Sequence, residues 1–440
     1  MAASRFPPRA ARRFTLGCIL AFPLLLSAAV PPSANSQKVP FLRLRDLALE
    51  YHGPSRNLGG ANQIRIGWFG PTNLNDPLNG DLWWTLTYAV RQANASIPAR
   101  ASATDPSSRT NQFQFSLVPR WSVNPWASGV SELARMIYSD APLALMGSVD
   151  SASTHLAEQI VAKANLPLIS PVTTDQSTTL AGVPWIFSCA PSDAAVARVL
   201  VRDLLTGPRQ KSVLLNGTDH ESRMTGREVL KEMSRRGCLP DLRIEISPGK
   251  APMDEQLQAL AKASPRTILV VAGPEDSARW VRALRRSLPQ AAPHVAHGIR
   301  IYGTHVVGRS RFLELAGDAA EGLRFPLLCQ PASQGPATNA FVAAFLRDRG
   351  HPPDYAAVLT YDAACLLFEA VWEAGPDRSR LREVLARRSG WTGLAGDVGF
   401  DGTGQNTRAN LVLARFERGA IVPWPPENPL AHKSSSSSTP

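Results

Sequence analysis

Apolar positions between residues 62 and 170 switch repeatedly between a period of two and a helical period. "QIRIGWFG" sets Ile64, Ile66 and Trp68 against Arg65 and Gly67, an alternation that predicts a strand. A Pro/Asn/Asp/Gly loop at 71–81 follows, then a helix over about 81–95. "FSLVPRW" predicts a second strand. "WASGVSELARMIY" predicts a helix with Val130, Leu133, Ala134 and Ile137 on one face. "APLALMG" is a third strand, residues 152–165 form a helix with Leu156, Ile160 and Ala164 on one stripe, and "LPLIS" is a fourth strand. Strand and helix in strict alternation indicate a parallel sheet with helices on both faces.

The rhythm then restarts. "VPWIFSCAPSD" runs from a strand into a loop, and "AAVARVLVRDLL", "MTGREVLKEMSRRG", "MDEQLQALAKA" and "EDSARWVRALRRS" are helical. The segments "KSVLLNG", "LRIEISP", "TILVVAG" and "IRIYGTH" read as strands between and after them. "GLRFPLL", helices at 337–349, 356–374 and 378–388, and "RANLVLARFERGAIVP" complete the pattern. No internal repeat or long linker separates the two units. A chain of 440 residues exceeds what one hydrophobic core usually serves, which agrees with two α/β lobes, each Rossmann-like with a parallel sheet.

The two ends read differently from the body. Arg5, Arg9, Arg12 and Arg13 precede an apolar run from Leu16 to Val30 broken by Pro23, with small residues at Ser27–Ala29 and Ala34. Residues 1–34 are therefore expected to be an export signal; the run is too short and broken for a good membrane span. Arg12-Arg13 leaves both an ordinary and a twin-arginine route open. Cys18 stands before the apolar run rather than at its end, which argues against a lipid anchor. Residues 35–61 form a polar, turn-rich extension, and 425–440, Ser-rich and polar, are expected to be disordered.

Charge changes the picture little. Removing the signal lowers the net charge from +11 to about +7, with the basic residues scattered. No basic stripe interleaved with aromatics occurs, so nucleic acid is not an expected partner. Of the four remaining cysteines, Cys189, Cys238, Cys329 and Cys365, none forms a CxxC pair, so neither metal nor redox chemistry is signalled. Their oxidation state is not legible. GxSxG, HExxH and Walker patterns are absent, and no cofactor or catalytic constellation is expected. His155, His220 and His305 are too dispersed along the chain to signal a metal. "DGTGQN" at 401–406 lacks a strand-to-helix context and reads as a turn.

Two hydroxyl clusters stand out in "LMGSVDSASTHLAEQIVAKANLPLISPVTTDQ". Gly147, Ser148, Ser151, Ser153 and Thr154 follow the third strand; Ser170, Thr173 and Thr174 follow the fourth. In a parallel sheet, ligands sit beyond the carboxyl ends of the strands, where helix N-termini leave N–H groups free. Ser151 or Ser153 is expected to cap the intervening helix. The same hydroxyls also suit an anionic or polar ligand.

The ordered segments "IRIGWFGPTN", "ALMGSVDSASTHLAEQ", "NLPLISPVTTDQSTTL", "WIFSCAPSDAAVARVL", "LAGDAAEGL" and "VLTYDAACLLFEAV" resemble the periplasmic solute-binding proteins of the branched-chain amino acid and amide type, over about residues 62–422. The resemblance implies a type 1 periplasmic binding protein fold, two lobes joined by a three-crossover hinge. It implies crossovers near Phe187–Ala190, Pro326–Cys329 and Gly402–Thr407. Lobe one would comprise 62–187 with 326–402, and lobe two 188–325 with 403–424.

The resemblance also implies a site. Ser151 matches the serine that holds a ligand carboxylate, and Val172, Thr173 and Thr174 match the segment that does the same through backbone and hydroxyl. Asn79 falls in the loop before the first helix. On lobe two, His220 or Glu221 stands where the family has a tyrosine, and Thr304-His305 where it has the acid that pairs with the ligand's amino group. The carboxylate half of an amino-acid site is thus matched and the amino half is not: either Glu221 supplies the lost negative charge, or, equally open, the ligand is neutral or acidic. The function implied is capture of a small carboxylate- or amide-bearing molecule for a membrane permease of an ABC transporter. A sensor of the same fold, or an enzyme or redox accessory on the same scaffold, are the alternatives.

Overall fold

A computed structural model describes residues 63–97, 113–206, 208–291, 298–329 and 335–425. The expected export signal, the extension at 35–61 and the tail beyond 425 lie outside the described residues.

The first unit runs β1 (Gln63–Phe69), α1 (Gly80–Ala95), β2 (Gln114–Arg120), α2 (Val130–Arg135), β3 (Ala144–Met146), α3 (Ser151–Ala164), β4 (Leu168–Ser170), α4 (Ser177–Leu180) and β5 (Ile186–Ser188). Its strands form a wholly parallel sheet in the order β2-β1-β3-β4-β5. Side-chain alternation sorts these strands into two cores. Ile64, Ile66, Met146 and Ile169 enter one; Phe69, Leu145 and Leu168 enter the other, on the opposite face.

The second unit contains α5 (Asp193–Leu204), β6 (Ser212–Gly217), α6 (His220–Arg235), β7 (Leu242–Ile246), α7 (Asp254–Ala263), β8 (Thr267–Val271), α8 (Pro274–Ala291), β9 (Arg300–Gly303), α9 (Ser310–Ala316) and β10 (Arg324–Leu327). The chain then returns to the first unit with α10 (Pro336–Arg349), α11 (Tyr355–Ala374), α12 (Arg378–Ala386) and the hairpin β11 (Trp391–Gly393) and β12 (Gly396–Val398). Residues of all five pack into the first unit's larger core. Finally β13 (Val412–Glu417) and β14 (Ala420–Pro423) join the second sheet, ordered β14-β13-β10-β9-β8-β6-β7. That sheet is parallel except for β13 and β14, whose antiparallel pairing with β10 and with each other departs from the expected all-parallel lobe. Here too the strands feed both faces: Val213, Leu215, Ile268 and Val270 one way, Leu214, Leu269 and Val271 the other.

Helix α11 is long and apolar enough to cross a membrane by length and composition, yet most of it is buried. It packs on α1 at the centre of the first unit, which is why it is apolar nearly all round. Helix α2 shows where periodicity misleads. Leu133, Met136 and Ile137 are buried, whereas Val130, predicted on the same stripe, is 40% exposed. Turns of π-helix at Pro125–Gly129 and Met136–Asp140 flank α2 and shift its phase away from 3.6 residues per turn. The three-residue strands β11 and β12 and the single turn of α4 are too short to leave a periodic signal.

Three described segments pass between the units. After β5, Ser188 N–H donates to Gly404 O at 2.8 Å and Asn406 N–H to Ser188 O at 3.0 Å, so two of the passages run side by side. Side chains fasten them: Gln405 Nε2 donates to Ala190 O at 2.7 Å and Asn406 Nδ2 to Cys189 O at 2.8 Å. The turn read in "DGTGQN" is therefore part of the hinge. The third passage follows β10, where Leu327 belongs to the second unit's core and Leu328 to the first unit's.

Candidate functional site

Loops beyond the carboxyl ends of the strands in one unit meet their counterparts in the other. The N-terminus of α3, after β3, lies against the N-terminus of α6, after β6: Ser151 N–H points at Glu221 Oε2 at 3.5 Å. Helix α6 begins at His220, four residues earlier than the pattern suggests, because Asp219 caps it through Ser222 N–H at 2.9 Å. His220 and Glu221 thus occupy the first helical turn rather than a loop.

The cap of α3 differs from expectation. Asp150, not Ser151 or Ser153, takes the N-cap position, accepting from Ser153 N–H at 2.8 Å. A charged carboxylate is the stronger acceptor for a helix N-terminus. Ser153 supports that cap: its hydroxyl donates to Asp150 Oδ1 at 2.5 Å and also bonds Ser148. Ser151, relieved of capping, is the first helical residue, and its Oγ accepts from Thr173 Oγ1 at 3.2 Å. Val172 and Thr173 are buried beside it, with Thr173 O accepting from Ser188 Oγ at 2.9 Å. Thr174 has a different engagement. Its hydroxyl donates to Asp193 Oδ1 at 2.8 Å, and Thr225 donates to the same oxygen at 2.9 Å. Thr174 therefore ties the first unit to α5 and α6 instead of keeping its hydroxyl open for a ligand.

Four groups at this junction carry unspent polarity. Asn79 Oδ1, Ser170 Oγ and His305 Nδ1 are buried with no hydrogen-bond partner among the described residues. Glu221 has no Lys or Arg partner among them, and desolvation, with Asp150 and Asp193 nearby, pushes its carboxyl up to about 8. His305 is held neutral, its imidazole lowered to about 3 by burial and by Arg309, and its ring meets Tyr355 edge-on at 5.8 Å across the units.

Two further bridges join the units, and neither was legible in the sequence. Arg309 Nε donates to Asp354 Oδ2 at 2.8 Å, and its Nη2 to Leu78 O, from beyond β9 to the first unit. Asp354 also caps α11 through the N–H groups of Ala356 and Ala357. Separately, Asp175 Oδ2 receives His155 Nε2 at 3.0 Å and His220 Nε2 at 3.2 Å. The dispersion inferred for the histidines is thus corrected: His155 and His220 converge on one carboxylate, while His305 stands apart. Sequence distance failed here because the partners come from opposite units. His155 lies one helical turn after Ser151 and Asp175 directly follows Thr174, so both adjoin the hydroxyl clusters, the only signal available.

These environments set a pH dependence. Hydrogen bonds donated to Asp175 and Glu158 raise His155 from 6.5 to about 9. A raised folded value contributes stability that is complete below 6.5 and is lost as pH rises through 9, on the order of 3 kcal/mol. Burial raises Asp193 to about 7, Asp362 to about 7 and Glu221 to about 8, so their contribution likewise declines from mild acid to those values. Asp175 runs the other way. Burial pushes it up, but its bonds from His155 and Ser177 win and hold it below the usual carboxylate range, so its contribution is lost on acidification. The ligand-free protein should therefore melt highest near pH 5 and progressively lower towards pH 9. A melting temperature that climbs between pH 6 and 9 would contradict this assignment.

Two α/β lobes, joined by paired hinge segments and presenting polar groups to each other from the carboxyl edges of their sheets, define a two-lobed solute-binding protein. A profile of the Periplasmic binding protein family matches residues 122–420, and the chain belongs to that family. It is a solute-binding protein of the ABC-transporter type. It is 23% identical over 289 residues to the leucine-, isoleucine-, valine-, threonine- and alanine-binding protein of Pseudomonas aeruginosa, covering 66% of this chain and 75% of that one. Among solved structures it resembles a leucine-binding protein from Thermotoga maritima (TM-score 0.68, 20% identity, 82% of this chain and 97% of that chain). It also resembles a solute-binding protein from R. palustris in complex with benzoate (TM-score 0.67, 17% identity, 82% and 95%). These likenesses establish the type 1 periplasmic binding protein fold.

Proposed function

We propose that this protein, exported from the cytoplasm, captures a small solute carrying a carboxylate beside an amino group and presents it to a membrane permease of an ABC transporter. Its role is capture, without chemical conversion. The carboxylate is held at the first turn of α3 through the Ser151 hydroxyl, with Thr173 and the backbone around Val172. The amino group is held by Glu221. Asn79 and His305 supply hydrogen-bonding atoms that no other group among the described residues uses.

The observation that supports this reading is Glu221: a half-buried carboxyl, raised to about 8, standing 3.5 Å from Ser151 N–H with no Lys or Arg partner among the described residues. An ammonium group supplies the missing charge. The relatives named for leucine and for benzoate both take carboxylates, and only the first of these has an amino group, so Glu221 favours the amino-acid type.

Calorimetric titration with neutral α-amino acids, their amides and benzoate tests it. An amino acid should bind, and benzoate should not compete. Binding should displace the Glu221 proton, so affinity should fall as pH drops below about 8, approaching tenfold per unit. Glu221→Gln should weaken binding about 100-fold and remove that dependence, and Ser151→Ala should weaken it about tenfold. Tight benzoate binding, unaffected by Glu221→Gln, would overturn the ligand class.

A further inference from the structure

We propose that His155, Asp175 and His220 form a binding site for a divalent zinc-like metal ion that bridges the two lobes. This goes beyond solute capture and does not depend on which solute is taken. Three donor atoms, His155 Nε2, Asp175 Oδ2 and His220 Nε2, lie within 4.8 Å of one another. Two of the separations, 3.0 and 3.2 Å, are close to the edge of about 3.3 Å that a tetrahedral zinc with bonds near 2.0–2.1 Å imposes on adjacent ligands. Two imidazoles and one carboxylate are a donor set suited to zinc, nickel or copper.

The surroundings are those of a built site. His155 Nδ1 faces Glu158 Oε2 at 3.0 Å, which holds a proton on Nδ1, so a metal would displace the Nε2 proton that now faces Asp175 and, at 2.9 Å, Ser177 Oγ. The other Asp175 oxygen accepts from Ser177 N–H at 2.9 Å and Ser177 Oγ at 2.7 Å, fixing the carboxylate so that Oδ2 alone is offered. Asp175 is 2% exposed, whereas the His155 and His220 side chains are 20% and 33% exposed. Solvent can therefore reach the site, and a water can complete the coordination.

The placement gives the metal a consequence. His155 and Asp175 belong to lobe one and His220 to lobe two, so an ion held by all three is bound fully only when the lobes are closed. His220 directly precedes Glu221. Metal and solute would then favour the same closed form, and by linkage each would raise the other's affinity by the same factor.

The test uses untagged full-length protein stripped with a chelator and titrated with Zn²⁺, then with Co²⁺ as an optical probe. One Zn²⁺ per chain should bind with a dissociation constant in the micromolar range or tighter, and Co²⁺ should give the visible absorption of a four-coordinate site. His220→Ala, on a partly exposed helix turn, should weaken Zn²⁺ binding at least about 100-fold while leaving the circular dichroism spectrum unchanged; His155→Ala should do the same. Where a variant fails to fold, Glu158→Gln, outside the donor set, should weaken binding about tenfold. Absence of saturable Zn²⁺ binding, or binding that survives both histidine substitutions unchanged, would overturn the site.

Discussion

Asp354→Ala is expected to lower solute affinity by about 100-fold or more while lowering the melting temperature only modestly. Asp354 forms the buried ion pair with Arg309 that links the lobes, and it accepts Ser310 N–H at 3.1 Å as well. Removing one partner of a buried pair costs about 3–5 kcal/mol, because the other charge is left without compensation. On the proposed capture cycle the lobes part, and parting lets water reach the orphaned Arg309. The loss therefore falls on closure rather than on folding, and closure is what solute binding draws on. Folding loses the cap of α11, worth about 1 kcal/mol. Asp354→Asn, which keeps an acceptor for the cap but not the charge, should spare the melting temperature further and still weaken the solute. Titration and melting on both variants check this. Unchanged affinity in Asp354→Ala would show that the pair is not part of closure.

Gly404→Ala is expected to destabilise the protein by roughly 3 kcal/mol or more. Gly404 has φ +83°, a region where a side chain costs about 1–2 kcal/mol. A Cβ there would stand 2.0 Å from Ile186 O, a backbone atom that cannot swing aside. Relief requires parting the hinge segments and breaking the bond from Ser188 N–H to Gly404 O. Gly182 is the control. It too has positive φ, 77°, but nothing lies within 4 Å of an added Cβ, so Gly182→Ala should cost only the conformational part. Denaturant unfolding of the two variants should separate them, and equal losses would show that the close approach at Gly404 is not what demands glycine.

Much of the fold was legible because it rests on short-range rules. The alternation at Ile64, Ile66 and Trp68 marked β1, and helices such as α10, α11 and α5 began within a residue or two of their predicted starts. The antiparallel edge made by β13 and β14 was not legible, since two strand-like segments carry no record of the direction of their neighbour. The exposed Val130 was misplaced because π-helical turns change the period locally.

The candidate site divides along the same line. By itself the sequence determined that hydroxyl residues gather after β3 and β4, that Glu221 and His220 stand together after β6, and that the chain builds two α/β units. These are facts of residue type, order and local period. Only the tertiary structure decided which groups are spent and which remain available. Asp150 takes the cap that Ser151 and Ser153 compete for, Asp193 takes the hydroxyl of Thr174, and His155 and His220 meet on Asp175. Each outcome depends on a contact between distant segments. Hydrogen-bond satisfaction and desolvation depend on every atom packed around a group, so they exist only once the two lobes have folded and come together.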